Sequence, residues 1–242
     1  MKAPIVEIFS SFQGEGLLIG RRQIFVRFAG CNLDCSYCDT AKSKSTEYGT
    51  QLSVEEIINK IEELKTPDLH SISFTGGEPL LYVDIINEIM KRLNFKFLLE
   101  TNGTLPDSLS NLNNMDYVSL DIKLPEHFNN VKHDLTQDND FKKYDIFENE
   151  IKSLKILIEW DTNIYCKIVV LPSTKLDTIK NIVKRLSNEI PEDIEIPIVI
   201  QPSSPLNQWQ NHKNKLFEFS ELIGKYNSVF LIPQVHKILD IE

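Results

Sequence analysis

Short runs rich in Ile, Val and Phe alternate with amphipathic stretches along most of the chain, and this alternation limits the fold more than any other feature. Strands are expected at Pro4–Phe9, Arg22–Phe28, His70–Phe74, Phe95–Glu100, Asp116–Asp121, Ile164–Leu171, Ile196–Gln201 and Val229–Ile232. Between them lie helical patterns. Ser53-Val-Glu-Glu56 is a capping box, followed by an apolar stripe of Ile57, Ile58, Ile61 and Leu64. Ile85, Ile86, Ile89, Met90 and Leu93 share one face of a second helix. Phe147, Ile151, Leu154 and Ile158 mark a third, with Glu148 and Lys152 as a supportive i,i+4 pair. Two more are expected near 176–188 and over His212–Lys225. Strands that alternate with helices predict an α/β chain with a parallel sheet of βα units. Some five helices are too few for a complete eightfold barrel, so a partial (β/α) barrel, open on one side, fits better. No Gly-, Ser- or Pro-rich linker divides the chain, and one domain over 1–242 is expected, with a polar lid or an Ω-loop near 126–145.

Polar clusters follow the strands at 31–40, 75–79, 101–103, 121–123 and 201–204. In parallel α/β folds that end of the sheet carries the ligand. The first cluster holds Cys31, Cys35 and Cys38 at C-x3-C-x2-C spacing. Three thiolates can hold three corners of a [4Fe–4S] cube and leave the fourth iron open to a ligand. A structural zinc loop and a disulfide pair are the alternatives. Zinc takes a fourth ligand close by, and the nearest histidine is His70. Cys166 lies in an apolar strand and reads as a buried small residue. Ser11-Phe-Gln-Gly-Glu-Gly16 reads as a tight turn that offers backbone N–H groups and one carboxylate, or as a plain hairpin turn.

Composition narrows the rest. Hydrophobic content of 41% and charged content of 25% are those of a globular protein. A net charge of −9 gives no reason to expect nucleic acid as a partner. No apolar run approaches the ~20 residues of a membrane span. The start, Met-Lys-Ala-Pro-Ile-Val-Glu, has no signal-peptide core, so a cytoplasmic location is expected.

The cysteine spacing, with Tyr37 before the last cysteine, resembles the signature of the radical S-adenosylmethionine (SAM) enzymes. Thr75-Gly-Gly-Glu-Pro79, after a strand, resembles the segment of those enzymes that contacts the SAM amino group. Gln13-Gly-Glu-Gly16, Arg27, Gly30-Cys-Asn32, Cys38-Asp-Thr40, Glu100-Thr-Asn-Gly-Thr104, Gln234 and His236-Lys237 extend the likeness. Together they are similar to the 7-carboxy-7-deazaguanine synthase (QueE) family, almost from end to end.

The resemblance implies a [4Fe–4S] cluster on Cys31, Cys35 and Cys38, with SAM and Mg2+ as further cofactors. It implies conversion of 6-carboxy-5,6,7,8-tetrahydropterin to 7-carboxy-7-deazaguanine, on the route to queuosine and related 7-deazapurines. Thr40 resembles the magnesium ligand. Tyr37, Asp39, Gly77, Glu78, Asp121, Lys123, Gln201 and Ser203 match SAM contacts. Asp121-Ile-Lys123 stands where many members have Ser-Pro-Lys, so Lys123 is kept and the first two residues differ. Phe12, Gln13, Gly14, Glu15, Arg27, Thr75, His236 and the terminal Glu242 match substrate contacts, with Arg27 suited to pair with the substrate carboxylate. A homodimer and a flavodoxin or ferredoxin as electron donor are also implied. The rivals are another radical SAM enzyme, such as a glycyl-radical activase, and a non-catalytic metal-binding module. Neither accounts for Gln13–Gly16, Arg27 and Thr40 together.

Overall fold

The computed structural model describes residues 1–131, 145–160 and 162–241. In chain order the elements are β1 (Lys2–Phe12), β2 (Arg22–Phe28), β3 (Leu33–Cys35), β4 (Thr50–Ser53), α1 (Val54–Glu63), β5 (Ser71–Gly76) and α2 (Val83–Arg92). There follow β6 (Phe97–Thr101), α3 (Pro106–Ser110), β7 (Tyr117–Asp121), β8 (Phe128–Val131), α4 (Asp145–Glu159) and β9 (Asn163–Val170). The described chain closes with α5 (Leu176–Glu189), β10 (Ile198–Pro202), α6 (Lys213–Ile223), β11 (Val229–Leu231) and α7 (Val235–Leu239).

Nine strands form one sheet in the order β11-β10-β9-β7-β6-β5-β2-β1-β4. From β2 to β11 every neighbouring pair is parallel. The sheet does not close, so the architecture is the expected open, partial (β/α) barrel. β1 and β4 depart from a purely parallel sheet, because each pairs antiparallel at the β2 side. The reason is connection length. β1 and β2 are joined by 13–21, too short for a crossover helix, so the chain can only turn back.

Period-2 alternation sets the two faces of the sheet. Ile24, Val26 and Phe28 of β2, Ile72 and Phe74 of β5, and Ile198 and Ile200 of β10 point outward into the helix-covered core. The intervening positions mix buried apolar residues such as Phe25 and Val199 with buried polar ones: Gln23, Ser71, Ser73, Ser119, Lys167 and Gln201. Two of the polar ones satisfy each other, Gln23 Nε2 donating to Ser71 Oγ at 2.7 Å. The same alternation leaves Cys166 fully buried among the outward apolar side chains, as its strand position predicts, and burial pushes its thiol up to about 12.

The helices follow their stripes. Ser53 Oγ accepts from the Glu56 N–H at 3.3 Å, and Glu56 Oε2 accepts from the Ser53 N–H at 2.7 Å, so the capping box forms. A box of this kind contributes roughly 1 kcal/mol. Ile57 and Ile61 of α1 are fully buried. The expected Glu148–Lys152 pair does not form. Glu148 reaches Arg185 of α5 at 3.4 Å, and Lys152 donates to Asn149, because a tertiary partner outcompetes an exposed helix pair. The polar segment read as a lid begins instead with a single 3-10 turn at Pro125–His127. β8 then pairs antiparallel with β3, the strand inside the cysteine loop. The rest of it, 132–144, lies outside the described residues, as does Glu242.

Candidate active site

The five strand-end clusters converge on one cavity, as their positions in the sequence predict. The cysteine loop enters after β2, the Thr75-Gly-Gly segment after β5, and Thr101-Asn102 after β6. Asp121 and Lys123 follow β7, and Gln201 and Ser203 come from β10. Gln13, Gly14 and Glu15 line the same cavity, although β1 runs antiparallel and ends beside Arg22, the start of β2. The cavity therefore extends from the rim along the inner face of the sheet. Of the residues singled out from the sequence, Glu78 does not line it, and Glu242 lies outside the described residues.

Glu78 is fully buried. Its Oε1 accepts from the Leu80 N–H at 3.0 Å and the Thr101 hydroxyl at 2.7 Å, and its Oε2 accepts from the Asn102 N–H at 2.9 Å. It ties the β5 and β6 loops together beneath the cavity instead of facing a ligand amine. Burial pushes its carboxyl up to about 7, against those three donors. The neighbouring glycines have a similar packing duty. A Cβ on Gly76 would overlap the backbone of Phe28, and one on Gly77 the carbonyl of Gly30. Gly76 also has a φ of +126°, which a side chain disfavours. The close approach these glycines allow is to the cysteine loop itself, where Gly77 N–H donates to Phe28 O and Glu78 N–H to Gly30 O.

Cys31, Cys35 and Cys38 are free thiols, partly exposed at the cavity wall. Among the described residues, the group whose ligand atoms gather within 4.8 Å of one another is Glu15, Asp39 and His236, not the cysteines. A single zinc with 2.3 Å bonds would draw its sulfurs to about 3.8 Å apart. Three thiols on one loop that do not gather that tightly are compatible with ligands to three corners of an iron–sulfur cube. Burial pushes the Cys31 thiol up to about 12, and Glu78 adds to it. Burial also raises Cys35, opposed by the Lys123 ammonium. Lys123 sits 2.9 Å from Asp121 Oδ2 and over the Tyr37 ring at 5.7 Å. The Tyr37 ring meets His127 edge-on at 5.7 Å. Gln201 leaves its buried amide oxygen without a hydrogen-bond partner among the described residues, so it offers an acceptor to a ligand.

Across the cavity, Arg27 and Thr75 are register partners on β2 and β5. Arg27 is not on an edge strand. Its Nε donates to Glu7 at 2.7 Å, and its guanidinium covers the Phe9 ring at 5.5 Å. The Gln13 amide is engaged: Nε2 donates to Gln23 and Glu100, and Oε1 accepts from the Glu15 N–H. Contact with a ligand there falls to Gly14 and Glu15. Burial works to raise Glu15, but Lys167 at 2.8 Å and Gln234 at 2.7 Å hold it below the ordinary carboxylate range. Asp39 is held low in the same way, by Lys237 and Gln234 against burial, and it accepts from the Thr40 hydroxyl at 3.0 Å. His236 packs on Gly14, where a Cβ would overlap its ring, and burial lowers it.

The cavity residues that escaped the sequence reading as site residues include the charged or polar Glu100, Asn102, Lys167, Gln234 and Lys237. The signal for Lys167 was present, as a lone charge within the apolar run Ile164–Leu171.

Known proteins resemble this chain in sequence and fold. Residues 25–202 match the profile of the radical SAM superfamily. The chain is 48% identical to the 7-carboxy-7-deazaguanine synthase of Methanothermobacter thermautotrophicus, covering 100% of this chain and 99% of that one. The chain belongs to the 7-carboxy-7-deazaguanine synthase family of radical SAM enzymes. The synthase of Methanocaldococcus jannaschii is 42% identical, over 97% of this chain and 98% of its own length. The crystal structure of QueE from Escherichia coli superposes with a TM-score of 0.59 at 21% identity, covering 96% of this chain and 94% of that one. That likeness carries the fold. As a member of the synthase family the chain is a radical SAM enzyme of 7-deazapurine biosynthesis, so the activase and non-catalytic readings fall away. Among the described residues no helix is long and apolar enough to cross a membrane.

Proposed function

We propose that this chain acts as a single domain that converts 6-carboxy-5,6,7,8-tetrahydropterin to 7-carboxy-7-deazaguanine with loss of ammonia. One observation carries the reading. The three cysteines, Arg27 with Thr75, and the Glu15–Lys167 pair face a single cavity, so a radical source and a recognition surface for a carboxylated heterocycle adjoin.

Cys31, Cys35 and Cys38 would hold a [4Fe–4S] cluster, and Tyr37, Asp39, Gly77, Asp121, Lys123, Gln201 and Ser203 would hold SAM. When bound, the cluster and SAM together supply one-electron cleavage of the sulfonium bond and a radical able to take a hydrogen atom. The chain's own residues supply placement. Arg27, braced by Glu7, presents its guanidinium to the substrate carboxylate. Phe12, Gly14, Glu15, Thr75 and His236 surround the pterin, with Gln13 as the brace beneath. Glu15, kept ionised by Lys167, accepts from ring N–H or amino groups. Radical abstraction needs the reacting atoms in near contact, which is a positioning task. Thr40 and Asp39 offer the hard oxygen atoms magnesium takes, and magnesium there would neutralise charge at the substrate carboxylate. A flavodoxin or ferredoxin would deliver the electron, in the cytoplasm. A homodimer is part of the same reading. It is supported by the exposed Phe230 and Leu231 on the terminal strand β11, with Ile238 and Leu239 on α7.

The test uses substrate deuterated at C6, incubated anaerobically with reconstituted protein, SAM and reductant. Deuterium recovered in SAM or in 5′-deoxyadenosine is the expected result. Turnover with no transfer from C6 would overturn the assigned position of the substrate.

A further inference from the structure

Asn102 lies beneath the cysteine loop, and the orientation of its amide is fixed. Its Oδ1 accepts from the Thr104 N–H at 3.0 Å and the Thr104 hydroxyl at 2.6 Å. The amide nitrogen must therefore point the other way. There it donates to Asn32 Oδ1 at 2.9 Å and faces Cys31 Sγ at 4.0 Å. Asn32 Nδ2 donates in turn to Thr104 Oγ1 at 2.7 Å. The three side chains close a ring, with Asn32 and Thr104 at 0% exposure and Asn102 at 6%. An amide nitrogen carries two hydrogens. One is taken by Asn32, and among the described residues the partner left for the other is the Cys31 sulfur. The Leu33 backbone N–H also donates to that sulfur, so Asn102 supplies a side-chain donor beside it.

We propose that Asn102 donates a hydrogen bond to the Cys31 sulfur and thereby raises the reduction potential of the cluster that this cysteine helps to hold. The proposal rests on the reading of Cys31, Cys35 and Cys38 as cluster ligands. The contact is long for a neutral thiol, but a metal-bound thiolate is negative and accepts more strongly at shorter range. Reduction adds one electron to the cluster, and part of that charge falls on the sulfurs. A donor at sulfur therefore stabilises the reduced form more than the oxidised form. Because Asn102 is buried and the Thr104 backbone N–H pins its Oδ1, the donor is already in place before reduction and little reorganisation is needed.

The test is a potentiometric titration of the anaerobically reconstituted full chain without SAM, followed by electron paramagnetic resonance of the reduced cluster. At a fixed poise, Asn102→Ala should lower the ratio of reduced to oxidised cluster about tenfold, or about 59 mV for a one-electron couple. Thr104→Val breaks the ring but keeps the backbone N–H that orients the amide, and should titrate like wild type. Equal shifts in both variants, or none in Asn102→Ala, would overturn the proposal. Should Asn102→Ala take up no cluster, wild type labelled with 15N-asparagine decides. Pulsed resonance of its reduced cluster should show a 15N coupling, and its absence would overturn the assignment. Wild type that takes up no iron and sulfide would fail earlier and remove the cluster reading itself.

Discussion

Lys167 Nζ lies 2.8 Å from Glu15 Oε2, although 152 positions separate them in the chain, and 3.2 Å from Asp121 Oδ1. Burial works against the lysine charge, but Asp121 and Glu15 hold it well above its ordinary pKa. Lys167→Met would leave two carboxylates close together with their shared cation gone. Breaking a buried pair from one side costs about 3–5 kcal/mol. The variant should lose that much in denaturant unfolding, and Glu15→Gln added to it should restore part of the loss through coupling. Additive effects of the two substitutions would contradict the pairing.

Arg27 owes its posture to Glu7. A bulge between Ile5 and Glu7 shifts the β1 register so that Glu7 stands opposite Arg27. Phe9 under the guanidinium is itself stacked on Phe25 at 5.0 Å. Arg27→Lys keeps the charge but loses the planar fork, and should raise KM for the carboxylated pterin about 10- to 100-fold, a loss of roughly 1.5–3 kcal/mol. Glu7→Gln should raise it only a few fold. Unchanged KM in Arg27→Lys would remove the arginine from substrate recognition.

The α7 segment straps the cavity from outside. Gln234 Nε2 donates to both Glu15 and Asp39 at 2.7 Å, its Oε1 accepts from the Ser204 hydroxyl at 2.6 Å, and Lys237 pairs with Asp39 at 2.7 Å. The Lys237 side chain is 35% exposed, so its pair contributes at most about 1 kcal/mol to stability. Lys237→Ala should therefore leave the melting temperature within a few degrees of wild type. Gln234→Leu should cost more, because it leaves two carboxylates without their shared donor. Steady-state kinetics should show KM for SAM or pterin rising in both. A larger stability loss in Lys237→Ala than in Gln234→Leu would reverse the assignment.

Glu78 gives a pH signature. Its folded pKa of about 7 lies above the ordinary carboxylate value. Between those values the folded state binds more protons than the unfolded one, so the stability this group contributes is present at low pH and lost as pH rises towards 7. Glu78→Gln removes that loss. The stability deficit of the variant should shrink between pH 5 and pH 8, by on the order of 3 kcal/mol at most. Urea titrations across that range, on protein without cluster, measure it. A deficit that grows with pH would show that Glu78 is ionised when folded.

Much of the site was legible because its residues sit where chemistry and backbone rules agree. The capping box at Ser53, the five polar clusters after strands and the cysteine spacing are local signals, and all of them survive in the structure. What escaped was set by distant partners. The antiparallel pairing of β1 and β4 depends on connection length and on the neighbouring strand, not on the composition of either strand. Glu78 looks like a ligand-facing acid in a Gly-Gly-Glu-Pro motif. Three donors, two of them from Thr101 and Asn102 beyond the next helix, draw it under the floor instead. Lys167 was visible as a misfit charge, yet only the fold shows that Glu15 and Asp121 meet it.

The most direct measurement is product identity. Anaerobically reconstituted protein would be incubated with SAM, a reductant, Mg2+ and 6-carboxy-5,6,7,8-tetrahydropterin, and the products resolved by mass. The account predicts 7-carboxy-7-deazaguanine in many-fold excess over any 5′-deoxyadenosine. SAM cleavage with the pterin left intact would contradict it.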